Sequence, residues 1–255
     1  MREFLINQSL AVRTSVIPEV LDVVKNITPD YDGVREYKTN IVEWLKPVID
    51  LSDFHVYPMN GITEGLNWWY NRELRTVYSD PGDYQWIKTK LMDEISIKYV
   101  SCPSAIHGNF VDIPNRFPVA LDLAYVGSTE VRNIKIYENV EYAFYSLSKP
   151  FGVRNVRTGW FFSRKEDKKL QELIHSAKYY NYFAHDIAET IINNFDIDFV
   201  HNYFKEKQKQ VCEELDFVPS DSVWLATTTQ EEFAKFRRDK DVARICLAGV
   251  YNEET

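Results

Sequence analysis

Between Phe54 and Ser163, short apolar segments that fit β-strands alternate with stretches that fit amphipathic helices, and this alternation is the strongest constraint on the fold. The first round runs from Phe54-His55-Val56-Tyr57 through the turn Asn60-Gly61 into a helix over residues 63–74 and a short strand, Thr76-Val77-Tyr78. A helix over residues 84–92 follows, and buried strands are predicted at 97–100, 119–121, 142–147 and 159–162. Strands interleaved with helices predict an α/β sheet covered by helices.

The flanks read differently. Up to about residue 50 the pattern is helical, with Val16, Ile17, Val20, Leu21 and Val24, then Ile41, Trp44, Leu45 and Val48, at three- and four-residue spacings. After Ser163 come helical stretches over 166–176, 185–194 and 199–215. The C-terminal part returns to strand, helix, strand: Val223 to Ala226, a helical 231–238, and Ala243 to Leu247. The expected organisation is an N-terminal helical segment (1–50), a large α/β domain (51–165), and helices with a small α/β lobe (166–255).

Composition excludes several classes. A net charge of -8 argues against a general binder of nucleic acid. The three cysteines are far apart and form no CxxC, and the five histidines form no HxxxH or HxH pair, so neither a disulfide framework nor a metal site is expected. Phe4-Leu5-Ile6 is too short for a signal-peptide core or a membrane span, so the expectation is a soluble, cytoplasmic protein that binds no membrane. No GxGxxG or GxxxxGK[ST] stands in the chain to support a nucleotide site.

The densest chemical signal is Ser146-Leu147-Ser148-Lys149-Pro150-Phe151-Gly152, which continues to Arg157-Thr158-Gly159-Trp160. A lysine beside two hydroxyls at the end of an apolar strand stands where burial would lower its pKa and make it a nucleophilic amine. Arg157, eight residues on, is a fixed cation suited to a phosphate.

This segment resembles the one in class I/II aminotransferases, the fold-type I enzymes that use pyridoxal 5'-phosphate (PLP). The resemblance runs in order from about residue 54 to 250, in a chain shorter than typical members. It implies a fold-type I large domain with a mainly parallel sheet, plus a reduced small lobe. It makes Lys149 the catalytic residue that forms a Schiff base with PLP, Arg157 a phosphate ligand, and Ser146 and Ser148 cofactor neighbours. Ala120-Leu121-Asp122-Leu123-Ala124-Tyr125 resembles the family's DxAY. There Asp122 would keep the pyridine nitrogen protonated so that the ring can accept electrons, and Tyr125 would donate to the ring's phenolic oxygen.

Asn60-Gly61-Ile62-Thr63 resembles the family's phosphate loop, in which Gly61, Ile62 and Thr63 share the phosphate at a helix N-terminus. Tyr84, with Trp86 as second choice, falls where an aromatic ring stacks on the pyridine. Ala243-Arg244-Ile245-Cys246-Leu247 resembles the strand whose arginine clamps the substrate α-carboxylate, a bidentate role suited to a guanidinium. The chain departs from the family at Tyr99-Val100-Ser101-Cys102-Pro103, where many relatives carry Asn-Pro; Ser101 or Cys102 would have to supply the asparagine's bond to the phenolic oxygen. The resemblance implies amino-group transfer between an amino acid and a 2-oxo acid, in a homodimer. Two alternatives stay open: another PLP reaction, as in a lyase or decarboxylase, and a degenerate PLP-binding protein.

Overall fold

The structure is a computed structural model that describes residues 12, 14–30, 33–84, 86, 96–239 and 241–251. Most of the helix expected over 84–92, and residues 1–11, lie outside the described residues. Two short helices, α1 (Pro18–Val24) and α2 (Ile41–Leu45), precede strand β1 (His55–Met59) and helix α3 (Ile62–Tyr70). Strands β2 (Val77–Tyr78), β3 (Ile97–Ser101), β4 (Val119–Asp122), β5 (Val140–Tyr145) and β6 (Gly159–Ser163) complete a six-stranded sheet of order β1-β6-β5-β4-β3-β2. Pairing is parallel from β2 to β5, whereas β6 runs antiparallel to both β5 and β1. The expected α/β sheet, mainly parallel and covered by helices, is what forms.

Both faces of this sheet are covered, which is why its strands are largely apolar. On one face Tyr57, Phe161 and Phe144 lie directly opposite one another across β1, β6 and β5 and their rings stack, at centroid distances of 6.1 and 5.4 Å. Helix α3 lies over this ladder. It can approach because Gly65 has no side chain: a Cβ there would stand 3.3 Å from the Phe144 ring. On the other face Tyr145 stacks on Trp160 and meets Trp44 of α2.

After β6 come α4 (Lys168–Gln171), a π-helical turn (Glu172–Ser176), α5 (Tyr182–Asn194) and α6 (Phe199–Leu215). The helix expected over 166–176 is thus half α and half π. A single i→i+5 turn leaves no mark in the spacing of apolar residues. A second sheet, β7 (Val218–Pro219), β8 (Leu225–Thr228) and β9 (Ala243–Cys246), is antiparallel in the order β7-β8-β9. The helix expected over 231–238 is a 3₁₀-helix over Glu231–Phe236, and α7 (Ala248–Tyr251) ends the described chain. None of the described helices is long and apolar enough to cross a membrane.

Gln208 of α6 is buried and its side-chain amide points at the carbonyls of Ser220, Ser222 and Leu225, which ties that helix to the small sheet. Ser222 in turn touches the loop after β4, with its hydroxyl 2.8 Å from that of Ser128. The two sheets are therefore joined next to the end of β4.

The aromatic ladder is expected to carry much of the fold's stability. Phe161→Ala should lower the unfolding free energy by ~3–5 kcal/mol in urea titration, as for other buried aromatic truncations; a loss under about 1 kcal/mol would contradict this packing.

Candidate active site

Parallel strands β1, β3, β4 and β5 end at the same edge of the sheet, where α/β folds bind ligands. Because β6 runs the other way, its N-terminal end stands there too. The β5–β6 connection is a hairpin with Tyr145 opposite Trp160, and its loop carries both Lys149 and Arg157. Ser146 Oγ donates to the Thr158 carbonyl at 2.6 Å and closes the base of that loop. The eight-residue spacing of lysine and arginine is thus the length of a hairpin loop that presents both at one edge.

Nine of the residues singled out from sequence line one cavity of about 90 Å³. They are Gly61, Ile62, Thr63, Tyr84, Asp122, Ser146, Ser148, Lys149 and Arg157, and Ala124 joins them. Three larger cavities, of about 380, 440 and 760 Å³, lie elsewhere. None includes Lys149, Asp122 or Arg157, so volume alone does not locate the chemistry.

At one end of the cavity Gly61 caps the nine-residue helix α3 with a φ of 85°, a left-handed conformation suited to glycine. A Cβ at Gly61 would stand 2.6 Å from Nη2 of Arg157, so a side chain there would push that guanidinium aside. Arg157 donates to the Asn60 carbonyl at 3.1 Å. Its own φ is 60°, a strained conformation for a residue with a side chain and one that concentrates at functional sites. A helix N-terminus facing an arginine is a cradle for a dianion such as a phosphate.

Lys149 is half-buried. Its Nζ lies 4.4 Å from the ring centroid of Tyr125 and 5.6 Å from that of Tyr84. Of the two aromatic candidates, Tyr84 lines the cavity, whereas Trp86 is 55% exposed and donates to Asn67. Tyr84 is held by the turn before it: Asp80-Pro81-Gly82-Asp83 closes with Asp83 N donating to the Asp80 carbonyl, and Gly82 takes a φ of 88° as a Pro-Gly turn requires.

Asp122, at the end of β4, is buried. Its carboxylate accepts from Ala124 N at 2.8 Å and, in a very short hydrogen bond, from the Tyr99 hydroxyl. Burial pushes its pKa up, with Lys149 and the Tyr99 bond opposing. Tyr99 itself is pushed far up by burial and by Asp122. A second buried carboxylate, Asp83, accepts from Ser101 Oγ at 2.6 Å, Ser101 N at 3.2 Å and Tyr84 N at 2.7 Å. Neither Tyr99 nor Asp83 was marked by sequence; one reads as an apolar strand residue, the other as turn punctuation.

Arg244 projects from β9 and is buried. Its Nη1 donates to the Ala105 carbonyl at 2.6 Å and to the Tyr125 hydroxyl at 3.2 Å. The small sheet thus brings Arg244 to the same group that Lys149 faces. Burial alone would push the Tyr125 phenol up, but Lys149, Arg244 and Arg238 bring it below its ordinary value.

The two residues offered in place of the missing asparagine, Ser101 and Cys102, both make hydrogen bonds within the protein. The Ser101 hydroxyl is committed to Asp83. The Cys102 thiol donates to the Val111 carbonyl at 3.5 Å, lines the separate cavity of about 760 Å³, and is pushed up to about 11 by burial.

No protein-family model and no curated protein sequence matches the chain. Solved structures do share its fold. An aminotransferase from Staphylococcus aureus aligns over 97% of this chain and 92% of its own, at 16% identity and a TM-score of 0.61. A PLP-bound C-S lyase from Staphylococcus hominis aligns over 96% and 89%, at 12% identity and a TM-score of 0.69. An aminotransferase from Helicobacter pylori aligns over 100% and 97%, at 14% identity and a TM-score of 0.62. The fold is that of the PLP-dependent fold-type I structures.

The sign of the Asp122 shift gives a test. A carboxyl raised in the folded state contributes stability that is complete below the unfolded value and lost as pH rises through the folded one. Asp122→Asn, which cannot ionise, is therefore expected to gain stability relative to the parent as pH rises from about 4 to 8. Urea titrations of both proteins without cofactor across that range measure the difference; a constant gap would refute the assignment.

Proposed function

We propose that the protein is a PLP-dependent enzyme of amino-acid metabolism, and within that class an aminotransferase. The observation that carries the reading is the convergence on one cavity of a lysine amine, a buried carboxylate and an arginine-plus-helix anion cradle. The donor set fits the cofactor: Gly61 leaves the space, Arg157 with the backbone of Ile62 and the hydroxyl of Thr63 would hold its phosphate, and Asp122 would hold the proton on its ring nitrogen. Lys149 would hold it covalently. Bound PLP supplies an aldehyde to capture an amine and a protonated ring that stabilises negative charge at the substrate Cα.

The chain's own residues then divide the work. Arg244 would grip the substrate α-carboxylate and so aim the Cα–H bond. Nζ of Lys149, released from the cofactor when substrate binds, would take the Cα proton and return it at a second carbon. Tyr125, held below its ordinary pKa by neighbouring cations, is a strong hydrogen-bond donor beside that amine. Tyr84 would present its ring to the cofactor. Asp122 stays anionic against the cost of burial only with a cation nearby, which a protonated ring nitrogen provides.

A second reading, a lyase, is favoured by the C-S lyase from Staphylococcus hominis, whose TM-score of 0.69 exceeds those of the two aminotransferases described above. The same lysine, aspartate and arginine serve both reactions.

Purified protein given PLP should develop an absorption band of bound cofactor, and borohydride reduction followed by peptide mapping should place the label on Lys149. Lys149→Ala should take no label and lose about 10²–10⁴-fold or more in turnover. Addition of an amino acid and then a 2-oxo acid should switch the band between amine and aldehyde forms and back. Release of ammonia or carbon dioxide in place of that exchange selects a lyase or decarboxylase, and a bound cofactor without turnover selects a binding protein.

A further inference from the structure

The Asp122 carboxylate, which lines the cavity, is held by a residue that does not. Strands β3 and β4 pair in parallel, with Ser101 opposite Asp122 and Tyr99 opposite Ala120. Tyr99 and Ser101, two positions apart, share a face of the sheet, so Tyr99 starts roughly 6–7 Å further back along the strand than the carboxylate it meets. A phenol is long enough to close that gap, and the fully buried Tyr99 delivers its hydroxyl to Asp122 Oδ2. Ser101 is the nearer hydroxyl by register, but its Oγ and its backbone N both donate to Asp83, which also accepts from Tyr84 N. Among the described residues, Tyr99 is the side chain that donates to Asp122.

The other carboxylate oxygen, Oδ1, accepts from Ala124 N. With a donor on each oxygen the group fits the ionised, acceptor-only form, and lone pairs remain for a further donor from the cavity. The charged groups that act on it are Lys149 on the β5–β6 loop and Asp83 on the turn before Tyr84. Burial opposes the charge on Asp122 and Asp83 adds to that opposition, while Lys149 and the Tyr99 hydroxyl act against both. Burial and Asp122 raise the phenol's own pKa, so Tyr99 stays a neutral donor and does not become a competing anion.

We propose that Tyr99 is a positioning residue for the reaction of this site: its hydroxyl orients the Asp122 carboxylate and holds it in the ionised form that receives the protonated ring nitrogen of the cofactor. The inference deepens the PLP reading and rests on it. A proton between a ring nitrogen and a carboxylate goes to the more basic of the two. By donating to Asp122, Tyr99 makes the carboxylate less basic and leaves the proton on the ring, where it stabilises charge at the substrate Cα.

Two measurements test this. Without cofactor, urea titrations of the parent, Tyr99→Phe, Asp122→Asn and the double variant form a cycle. Loss of the hydroxyl is expected to weaken folding about tenfold more at pH 8 than at pH 4 when Asp122 is present, because the bond at pH 8 is made to a charge. Once Asp122 is Asn, the loss should be the same at both pH values. With cofactor, Tyr99→Phe should still carry the borohydride label on Lys149, and should lower kcat about tenfold or more with KM within about twofold of the parent. A hydroxyl whose loss costs the same at every pH, or a loaded Tyr99→Phe protein with unchanged kcat, overturns the proposal. If Tyr99→Phe alone does not fold, the double variant, which has no buried charge left at Asp122, should, a rescue that the lost bond to a charge explains; failure of both assigns Tyr99 to packing and overturns the proposal as well. A parent protein that takes up no cofactor overturns the PLP reading together with this inference, whereas a loaded parent with an unaltered Tyr99→Phe variant overturns the role of Tyr99 alone.

Discussion

The chemistry of the site depends on how closely three pieces of backbone meet at one edge of the central sheet. A Cβ at Gly159 would stand 2.8 Å from the Tyr145 carbonyl oxygen and 2.9 Å from Cα of Gly61, so nothing larger than glycine fits where β5, β6 and the turn after β1 converge. That contact requires β6 to run against its neighbours, since only then does its first residue share an edge with the last residues of β1 and β5. From it follow the reach of Arg157 to Asn60, the bond from Ser146 to Thr158, and the position of Lys149 on the loop between. Side-chain chemistry here is a consequence of backbone proximity.

The same edge concentrates charge at a cost to the fold. Asp122 is raised by burial, and Tyr125 is lowered only because cations outweigh its own burial. A chain selected for stability alone would replace such groups with apolar ones. Asp122, Lys149 and Arg157 stand around one cavity, and Arg244 reaches its neighbour Tyr125. A ligand bound only to the folded state would recover stability.

What could be read in the sequence was what local pattern encodes. Apolar runs located β1 and β3 to β6 because a strand covered on both faces needs them; Lys149 could be read as chemistry because it follows such a run beside two hydroxyls, whereas Asp122 was marked only by the resemblance to DxAY. The direction of β6 could not be read, as a strand has the same periodicity either way. Tyr99 was invisible for a related reason: its bond to Asp122 depends on the register of β3 on β4, a non-local fact. Asp83 looked like turn punctuation, and Arg238 like the end of a charged helix. The acceptors of the Ser101 hydroxyl and the Cys102 thiol could not be read either, because proximity in sequence to the missing asparagine says nothing of where such a group finds its nearest acceptor. Strand β7, two residues long, and α7, four residues long, are too short to leave a pattern.

The two ends of the site are supported differently, and this bears on how such a site can change. The anion cradle at Gly61 and Arg157 is built from the ends of central strands and from α3, packed on the aromatic ladder. Arg244 belongs to the small sheet, which with the loop beside it is joined to the rest through Tyr125, Ala105 and the contact of the Arg238 backbone with Gly82. Alterations of that loop reach the Arg244 end while leaving the strand ends in register, because no backbone hydrogen bond of the central sheet passes through it. Lys149 stands between the two, facing rings from both a strand-end segment, Tyr125, and a turn, Tyr84. The two ends are therefore physically separable in this molecule, with the lysine amine as the point at which they meet.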